Sequence, residues 1–365
     1  MAQHVINPAC PEANLPLAEA TPDAHARFMT QRRFGSLDGL RALSIVAVIW
    51  HHTAPSWASS ALVDAGTQGV TLFFAISGFL ITTLMLRERE RSGRIDLPAF
   101  YARRSLRIFP LYYLTVLLYV VLVYAVERHS AAGQGFFNNL PYFATYTSNI
   151  FVPLDGRVIF YFAWSLAAEE QFYLLWPLLL CLCRSGRQAA ALLGLAIVLC
   201  IVGHALQNRF LSAVPLAILV GALFAIGMHE RRSYEWLNRL FGSNAALAGI
   251  VALLALSLGS EQPFHFANAL LCAGLVACCV IREDHLLAGA LSLRPLAYVG
   301  SISYGMYLLH MLSKSLVVKL LGLAHLPLEG VHVFALTTLA AIAAATLSFR
   351  YFESIFLGLK LRYAR

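Results

Sequence analysis

A guanidinium and an imidazole stand eleven residues apart in "LDGLRALSIVAVIWHH", residues 37–52, a run that turns from polar to apolar within its first turn. If the run is helical, about 100° per residue carries Arg41 to His52 through three turns and some 20° more, so both share one face about 16 Å apart along the axis. His51 falls about 80° off that face, so the spacing selects His52. Asp38, three residues before Arg41, is placed to pair with it or to cap the helix. An arginine near a helix end also snorkels to an interface, and a buried histidine also serves to hold a neighbour. The cost of ionisable groups inside a membrane favours chemistry instead. An imidazole there can take a proton or an acyl group, and a fixed cation can hold an anionic substrate or balance developing negative charge.

Three further stretches carry groups of the same kind. "WSLAAEEQFYLLWP", residues 164–177, sets adjacent Glu169 and Glu170 well inside an apolar run. Ser165, Glu169 and Tyr173 recur every four residues as a polar stripe, which turns Glu169 toward the interior. Glu170, among Ala and Leu on its own stripe, would lock a neighbouring helix. "SISYGMYLLHMLSK", residues 301–314, lines up Ser303, Tyr307, His310 and Lys314 at i, i+4, i+7 and i+11 on one face. His310 lies deep in it, either supporting the bundle or joining the chemistry. "YARRSLRIFPLYY", residues 101–113, brings Arg103, Arg104 and Arg107 to the start of an apolar run. Arginine forks at a helix N-terminus suit phosphate oxygens; contact with anionic lipid fits them as well.

The elements that must position these groups are membrane helices. Of 365 residues, 59% are hydrophobic and only 13% charged, against about a quarter charged in soluble domains, and the mean hydropathy is +0.68. Apolar windows of roughly 20 residues mark spans. Ten are expected, at about 38–57, 68–86, 108–126, 159–183, 188–206, 211–229, 243–259, 263–281, 297–322 and 330–357. The fold class is therefore an all-α polytopic bundle, with residues 1–35 and 359–365 as cytoplasmic tails around a transmembrane domain over 36–358. Lys and Arg crowd one set of loops, while the opposite loops hold only Arg128, Arg157 and Arg209, which points to an N-in, C-in topology. The net charge of +8 then faces the anionic inner leaflet, and no nucleic-acid partner is expected. Seven cysteines form no CxxC or Cys/His cluster, so they read as small buried hydrophobes and no metal site is expected.

In order along the chain, "LDGLRALSIVAVIWHH", "GVTLFFAISGFLIT", "ARRSLRIFPLYYL", "WSLAAEEQFYLLWP", "SISYGMYLLH" and "LSFRYFE" resemble the motifs of the acyltransferase 3 family of integral membrane acyltransferases, over about residues 34–357. The resemblance implies ten or so transmembrane helices in a bacterial inner membrane. It implies transfer of an acyl group, most often acetyl, from a cytoplasmic acyl-CoA donor to a hydroxyl of a carbohydrate or other acceptor, with no permanently bound cofactor. It places the family's arginine and histidine on Arg41 and His52, its basic cluster on Arg103, Arg104 and Arg107, and its paired glutamates on Glu169 and Glu170. Two positions depart from the family pattern: Thr71 stands where an acidic residue is usual, and Glu353 is followed by "SIFLGL" rather than by proline. Some relatives carry a soluble esterase-like C-terminal domain, which is not expected in this sequence.

The expected division of labour has the donor phosphates on Arg103, Arg104 and Arg107, and Arg41 holding the donor or developing charge. His52 is general base or acyl carrier, Glu169 orients its imidazole, and Asp38, Tyr307 and His310 support the site. The alternative is a proton-coupled transporter that uses His52, His310 and the glutamates as a relay; a scaffold without activity is a third. "FFNNLPYFATYTSN", residues 136–149, could stack on a sugar or form an interfacial aromatic belt. Acceptor identity and oligomeric state stay open.

Overall fold

A computed structural model describes residues 23–31, 33–153, 155–258 and 265–360. Most of the expected N-terminal tail (residues 1–22 and Arg32) and residues 361–365 of the expected C-terminal tail lie outside the described residues. The described chain is all helical: α1 Ala24–Thr30, α2 Gly35–Thr53, α3 Ser60–Ser92, α4 Leu97–Val126, α5 Ala131–Ala144, α6 Ser148–Phe151, α7 Ala163–Leu182, α8 Gly186–Ala205 and α9 Leu216–His229. These are followed by α10 Arg231–Phe241, α11 Asn244–Leu258, α12 His265–Ile281, α13 Ala288–Leu291, α14 Arg294–Ser301, α15 Ser303–Leu323, α16 Val331–Ser348, a π-helical turn Phe349–Glu353, and α17 Ser354–Lys360.

Every expected apolar window holds a helix, but fewer are long and apolar enough to cross a membrane. Among the described residues five meet both requirements: Gly66–Ser92, Leu97–Val126, Gly186–Ala205, Ser303–Leu323 and Val331–Leu359. A sixth is added if α10 and α11, bent by 68° at their junction, count as one broken span. The others fall short for physical reasons. α2 and α7 are diluted by the polar side chains they carry, including Arg41, His51 and His52 on one and Glu169, Glu170 and Gln171 on the other. α9 has 14 residues, about 21 Å of helix against a hydrocarbon core of about 30 Å. The chain is a multi-pass membrane protein, and the apolar side chains left exposed on α4 and α8, such as Leu117, Val121, Leu195 and Val198, present the surface lipid would cover.

Two windows expected to be continuous are interrupted. The 297–322 window breaks at Ile302, between α14 and α15. The last span widens into the π turn at Phe349–Glu353, a form that often accompanies functional sites. The aromatic 136–149 stretch folds inward as α5: Phe136 and Phe143 are fully buried and stack on each other at 5.8 Å. The sugar-stacking expectation for these two rings is therefore corrected, because burying them in the core releases more free energy than holding them in water.

Small residues let the helices that frame the centre approach closely. α3 crosses α9 at Gly78 and Gly221: a Cβ on Gly78 would stand 1.9 Å from the Ile218 carbonyl oxygen, and one on Gly221 2.2 Å from that of Ala75. Gly78→Val should therefore lower the thermal unfolding midpoint of the purified protein, by about 1–3 kcal/mol of stability or more, since backbone has to move. A midpoint equal to wild type would contradict this packing. The start of α2 is held from the other side, where Ser36 Oγ meets the buried His285 Nε2 at 2.9 Å. Leu287 N–H donates to His285 Nδ1, so Nε2 carries the proton and donates to Ser36. Two apolar groups result. One gathers α3, α9 and α12; the other gathers the second half of α2 with α4, α5 and α15.

Candidate active site

Between those groups lies a cavity of about 260 Å³, walled by α2, α3, α4, α7, α14 and α15. Arg41 reaches it from α2, Ser77 from α3, Arg104 and Arg107 from α4, and Ser165, Glu169, Glu170 and Tyr173 from α7. Ser303, Tyr304 and Tyr307 close the α15 side. Three guanidinium groups and two carboxylates thus meet in a space otherwise lined by aromatic and apolar side chains.

The three guanidinium groups and Glu169 each have a definable partner. Asp38 pairs with Arg41 at 3.6 Å and with Arg33 at 2.7 Å; it does not cap α2 with its side chain. The Arg104 guanidinium lies 4.2 Å from the centre of the Tyr173 ring, a cation–π contact that sets its direction. Glu169 accepts from Ser77 Oγ at 2.5 Å and from the Tyr173 hydroxyl. Both glutamates line the cavity, so Glu170 is not confined to the outer helix contact expected of it. Arg103 does not line the cavity: it turns away and pairs with Glu88 on α3 at 3.4 Å. Of the three α4 arginines expected to hold the donor, Arg104 and Arg107 line the cavity, with Arg41 from α2.

Arg107 shows what residue-by-residue sequence reading missed. It donates to the Ser301 carbonyl at 3.1 Å and pairs with Glu353 at 3.9 Å. Glu353 ends the π turn, is 5% exposed, and accepts from Ser348 Oγ at 3.1 Å. The signal lies in "LSFRYFE", whose glutamate has no partner that its spacing alone identifies. Glu353→Gln keeps the shape and removes the charge that holds Arg107. For a phosphate-bearing donor held by Arg107, as the sequence leads one to expect, the Michaelis constant should rise roughly threefold to tenfold, the size of a partly buried charged contact, with little change in turnover. An unchanged constant would mean that Glu353 serves only the helix turn.

His52 sits outside the cavity, near the C-terminal end of α2. The Tyr161 hydroxyl lies 2.8 Å from its Nδ1 and 3.2 Å from its Nε2. The His310 ring stacks on it with centres 5.0 Å apart and planes 19° from parallel. Lys314 Nζ donates to the His52 carbonyl, one of the carbonyls a helix end leaves without an intrahelical partner. His51 points elsewhere, its Nδ1 bonded to the Val63 carbonyl at 2.7 Å, as the helical wheel requires. Glu169 does not reach His52: its own partners are Ser77 and Tyr173, so the orienting of His52 falls to Tyr161 and His310. Tyr161 precedes α7 in a turn with no periodicity, which is why no spacing rule found it.

Tyr307 joins the two regions. Its hydroxyl meets Ser165 Oγ at 2.5 Å and donates to the Phe162 carbonyl at 3.1 Å. Its ring borders the cavity on one side and lies 5.6 Å from the His310 ring on the other. The buried His310 receives its tautomer here: Nδ1 bonds the Tyr307 carbonyl at 2.5 Å, so Nδ1 holds the proton. Its Nε2 lone pair has no partner among the described residues. An arginine-lined cavity is thus separated from a pair of stacked imidazoles by a hydrogen-bonded tyrosine–serine wall. No group of three or more His, Cys, Asp or Glu among the described residues could hold a metal ion.

The family model described as an acyltransferase domain, the acyltransferase 3 model, matches residues 34–350. The chain belongs to the acyltransferase 3 family. It is 28% identical to the "Peptidoglycan O-acetyltransferase OatA" of Listeria monocytogenes over 359 residues, covering 87% of this chain and 55% of that one. It is 27% identical to the "O-acetyltransferase OatA" of Staphylococcus aureus over 365 residues, covering 90% and 58%. Against YrhL of Bacillus subtilis the identity is 28%, over 76% and 48%. The chain therefore spans about half the length of the curated relatives it matches. No solved structure matches it.

Proposed function

We propose that this chain is a membrane-embedded O-acyltransferase that moves an acyl group, acetyl in the first instance, from an acyl-CoA donor to a hydroxyl of a carbohydrate. The observation that carries the reading is the gathering of Arg41, Arg104 and Arg107 around one cavity whose Tyr307 wall abuts the stacked His52–His310 pair, in a chain of an acyltransferase family. In this reading the helices form ten spans, some short or broken, with both chain ends on the cytoplasmic side of a bacterial inner membrane, and the arginine cavity faces the cytoplasm. The relatives named for peptidoglycan O-acetylation make a cell-wall or other surface glycan the first acceptor to try.

Arg104 and Arg107 take the donor's phosphate oxygens through charge-assisted hydrogen bonds, and the pantetheine arm runs past Arg41 toward α7. Rotation of Tyr307 away from Ser165 opens the way to His52. As a base, His52 accepts the acceptor's hydroxyl proton while the oxygen attacks the thioester carbonyl. A C–O bond forms, the C–S bond breaks, and the departing sulfur takes the proton as free CoA thiol. As a carrier, an imidazole nitrogen takes the acyl group first with release of the thiol, and the acceptor hydroxyl then displaces it. Arg41 holds the donor inside the arginine cavity, and Lys314, bonded to the His52 carbonyl, is the cation closer to the negative charge that develops on the carbonyl oxygen. CoA acts as a substrate and no bound cofactor is needed; the other partners are the acceptor and the bilayer.

The test is to supply the purified chain in lipid nanodiscs with labelled acetyl-CoA and glycan oligosaccharides. Acceptor-dependent release of CoA, with label on the glycan, supports the reading. An intact thioester under conditions where the protein moves a solute would overturn it in favour of transport.

A further inference from the structure

We infer that a second cavity, at the opposite end of α2 from the arginines, binds the acceptor, and that the acceptor is an uncharged sugar ring. The inference rests on the acyl-transfer reading above and goes beyond it by giving the acceptor a place and a charge. The cavity has a volume of about 440 Å³, within the range usual for small-molecule sites. Tyr119, Arg157, Tyr161, Phe162, Met311 and Ser315 are among its lining residues.

Its position relative to the imidazoles is the first ground. Tyr161, whose hydroxyl is hydrogen-bonded to His52, is among the residues that line the cavity. Phe162, also in the lining, lies edge-on to His310 at 5.1 Å. A hydroxyl entering from this side meets the histidine pair after displacing one phenol, whereas the arginine cavity meets it only through Tyr307. The buried His310 Nε2, without a partner among the described residues, gives this pair a spare acceptor for an incoming O–H.

Charge is the second ground. Arg157 is the one charged side chain in the lining, and it is already matched by Glu127 through two bonds of 2.9 Å. A ligand carrying phosphates would find a single cation, already matched by a carboxylate, where the first cavity gathers three guanidinium groups. Aromatic faces and a thioether beside the hydroxyls of Tyr161 and Ser315 suit a sugar ring, which is apolar on its faces and hydrogen-bonding at its edge.

The backbone supplies a third ground. Phe160, fully buried, is held at φ +64° immediately before Tyr161. A bulky residue is strained in that conformation, and such strain persists where the surroundings force it, commonly at ligand sites. Here it delivers Tyr161 and Phe162, in succession, to the wall shared by cavity and histidines.

Ser315 on α15 is exposed, donates to the Met311 carbonyl and lines the cavity, so a larger side chain there should narrow the cavity at a position that makes no described contact with the His52 ring. With a neutral N-acetylhexosamine trisaccharide as acceptor and acetyl-CoA as donor, Ser315→Trp should raise the Michaelis constant for the trisaccharide at least tenfold and leave that for acetyl-CoA unchanged. Should that variant fail to insert, Ser315→Cys can be folded first and then modified with a bulky thiol reagent, with wild type as the control for native cysteines. The same shift is expected, and the trisaccharide should slow the modification. An unmoved trisaccharide constant with active protein overturns the placement alone, as does a rise confined to acetyl-CoA. Wild-type protein that releases no CoA with any glycan overturns the acyl-transfer reading and this inference together.

Discussion

On the proposed acyl-transfer function, His52→Ala should abolish measurable transfer, a fall of about 10²–10⁴-fold if His52 is the general base, while the protein still inserts and still binds the donor. The separation of effects follows from geometry. The arginine cavity does not include His52, so removing the imidazole leaves Arg41, Arg104 and Arg107 where they are. The ring also carries little of the fold's packing alone, being part-buried and in contact with Tyr161, His51 and His310. The Lys314 contact is to the His52 carbonyl and survives the substitution. Two controls belong with the measurement: thermal stability in detergent, and binding of a non-hydrolysable acyl-CoA analogue. Transfer at near wild-type rate would remove His52 from the mechanism, and loss of donor binding would mean that the two regions are not separable.

Arg104→Ala should raise the Michaelis constant for acetyl-CoA by about 10- to 100-fold, since a hydrogen bond to a charged group contributes about 1.5–3 kcal/mol and each 1.4 kcal/mol is tenfold. Arg104 is a cleaner probe than Arg107. Its described contact is the Tyr173 face, which tolerates its loss, whereas removing Arg107 leaves the buried Glu353 carboxylate without its ion pair. The informative comparison is with acetyl-pantetheine, which has the thioester and lacks the phosphates. Arg104→Ala should penalise acetyl-CoA and leave acetyl-pantetheine nearly unaffected. An equal penalty on both would place Arg104 at the thioester or in the fold rather than at the phosphates.

The helical wheel separated His52 from His51 because rotation along one helix is local, and the structure sends the two rings to different partners. The polar stripe of α7 was legible for the same reason: Ser165, Glu169 and Tyr173 all border the cavity. Contacts between helices were not legible. Nothing in the spacing of Arg103 and Arg107 says that one will be drawn off by Glu88 from α3 while the other is fixed by Glu353, 246 positions later. The expected Glu169–His52 contact failed because periodicity gives the face of a helix and not its depth relative to a neighbour. Tyr161 was invisible because its direction comes from the positive-φ backbone at Phe160, which no hydropathy pattern encodes. The spans were over-regularised in the same way: the polar residues that mark α2 and α7 are the ones that lower their hydropathy.

The central claim is that a donor anchored by the α4 arginines delivers its acyl group to the imidazole at the far end of α2. A structure of the chain in nanodiscs with a non-hydrolysable acetyl-CoA analogue tests it most directly. Expected are phosphate density at Arg104 and Arg107, a pantetheine arm passing Arg41 with the Tyr307–Ser165 contact opened, and the acyl carbon within bonding approach of a His52 nitrogen. An analogue bound elsewhere, or one whose acyl end stops in the arginine cavity with Tyr307 still closed on Ser165, would contradict it.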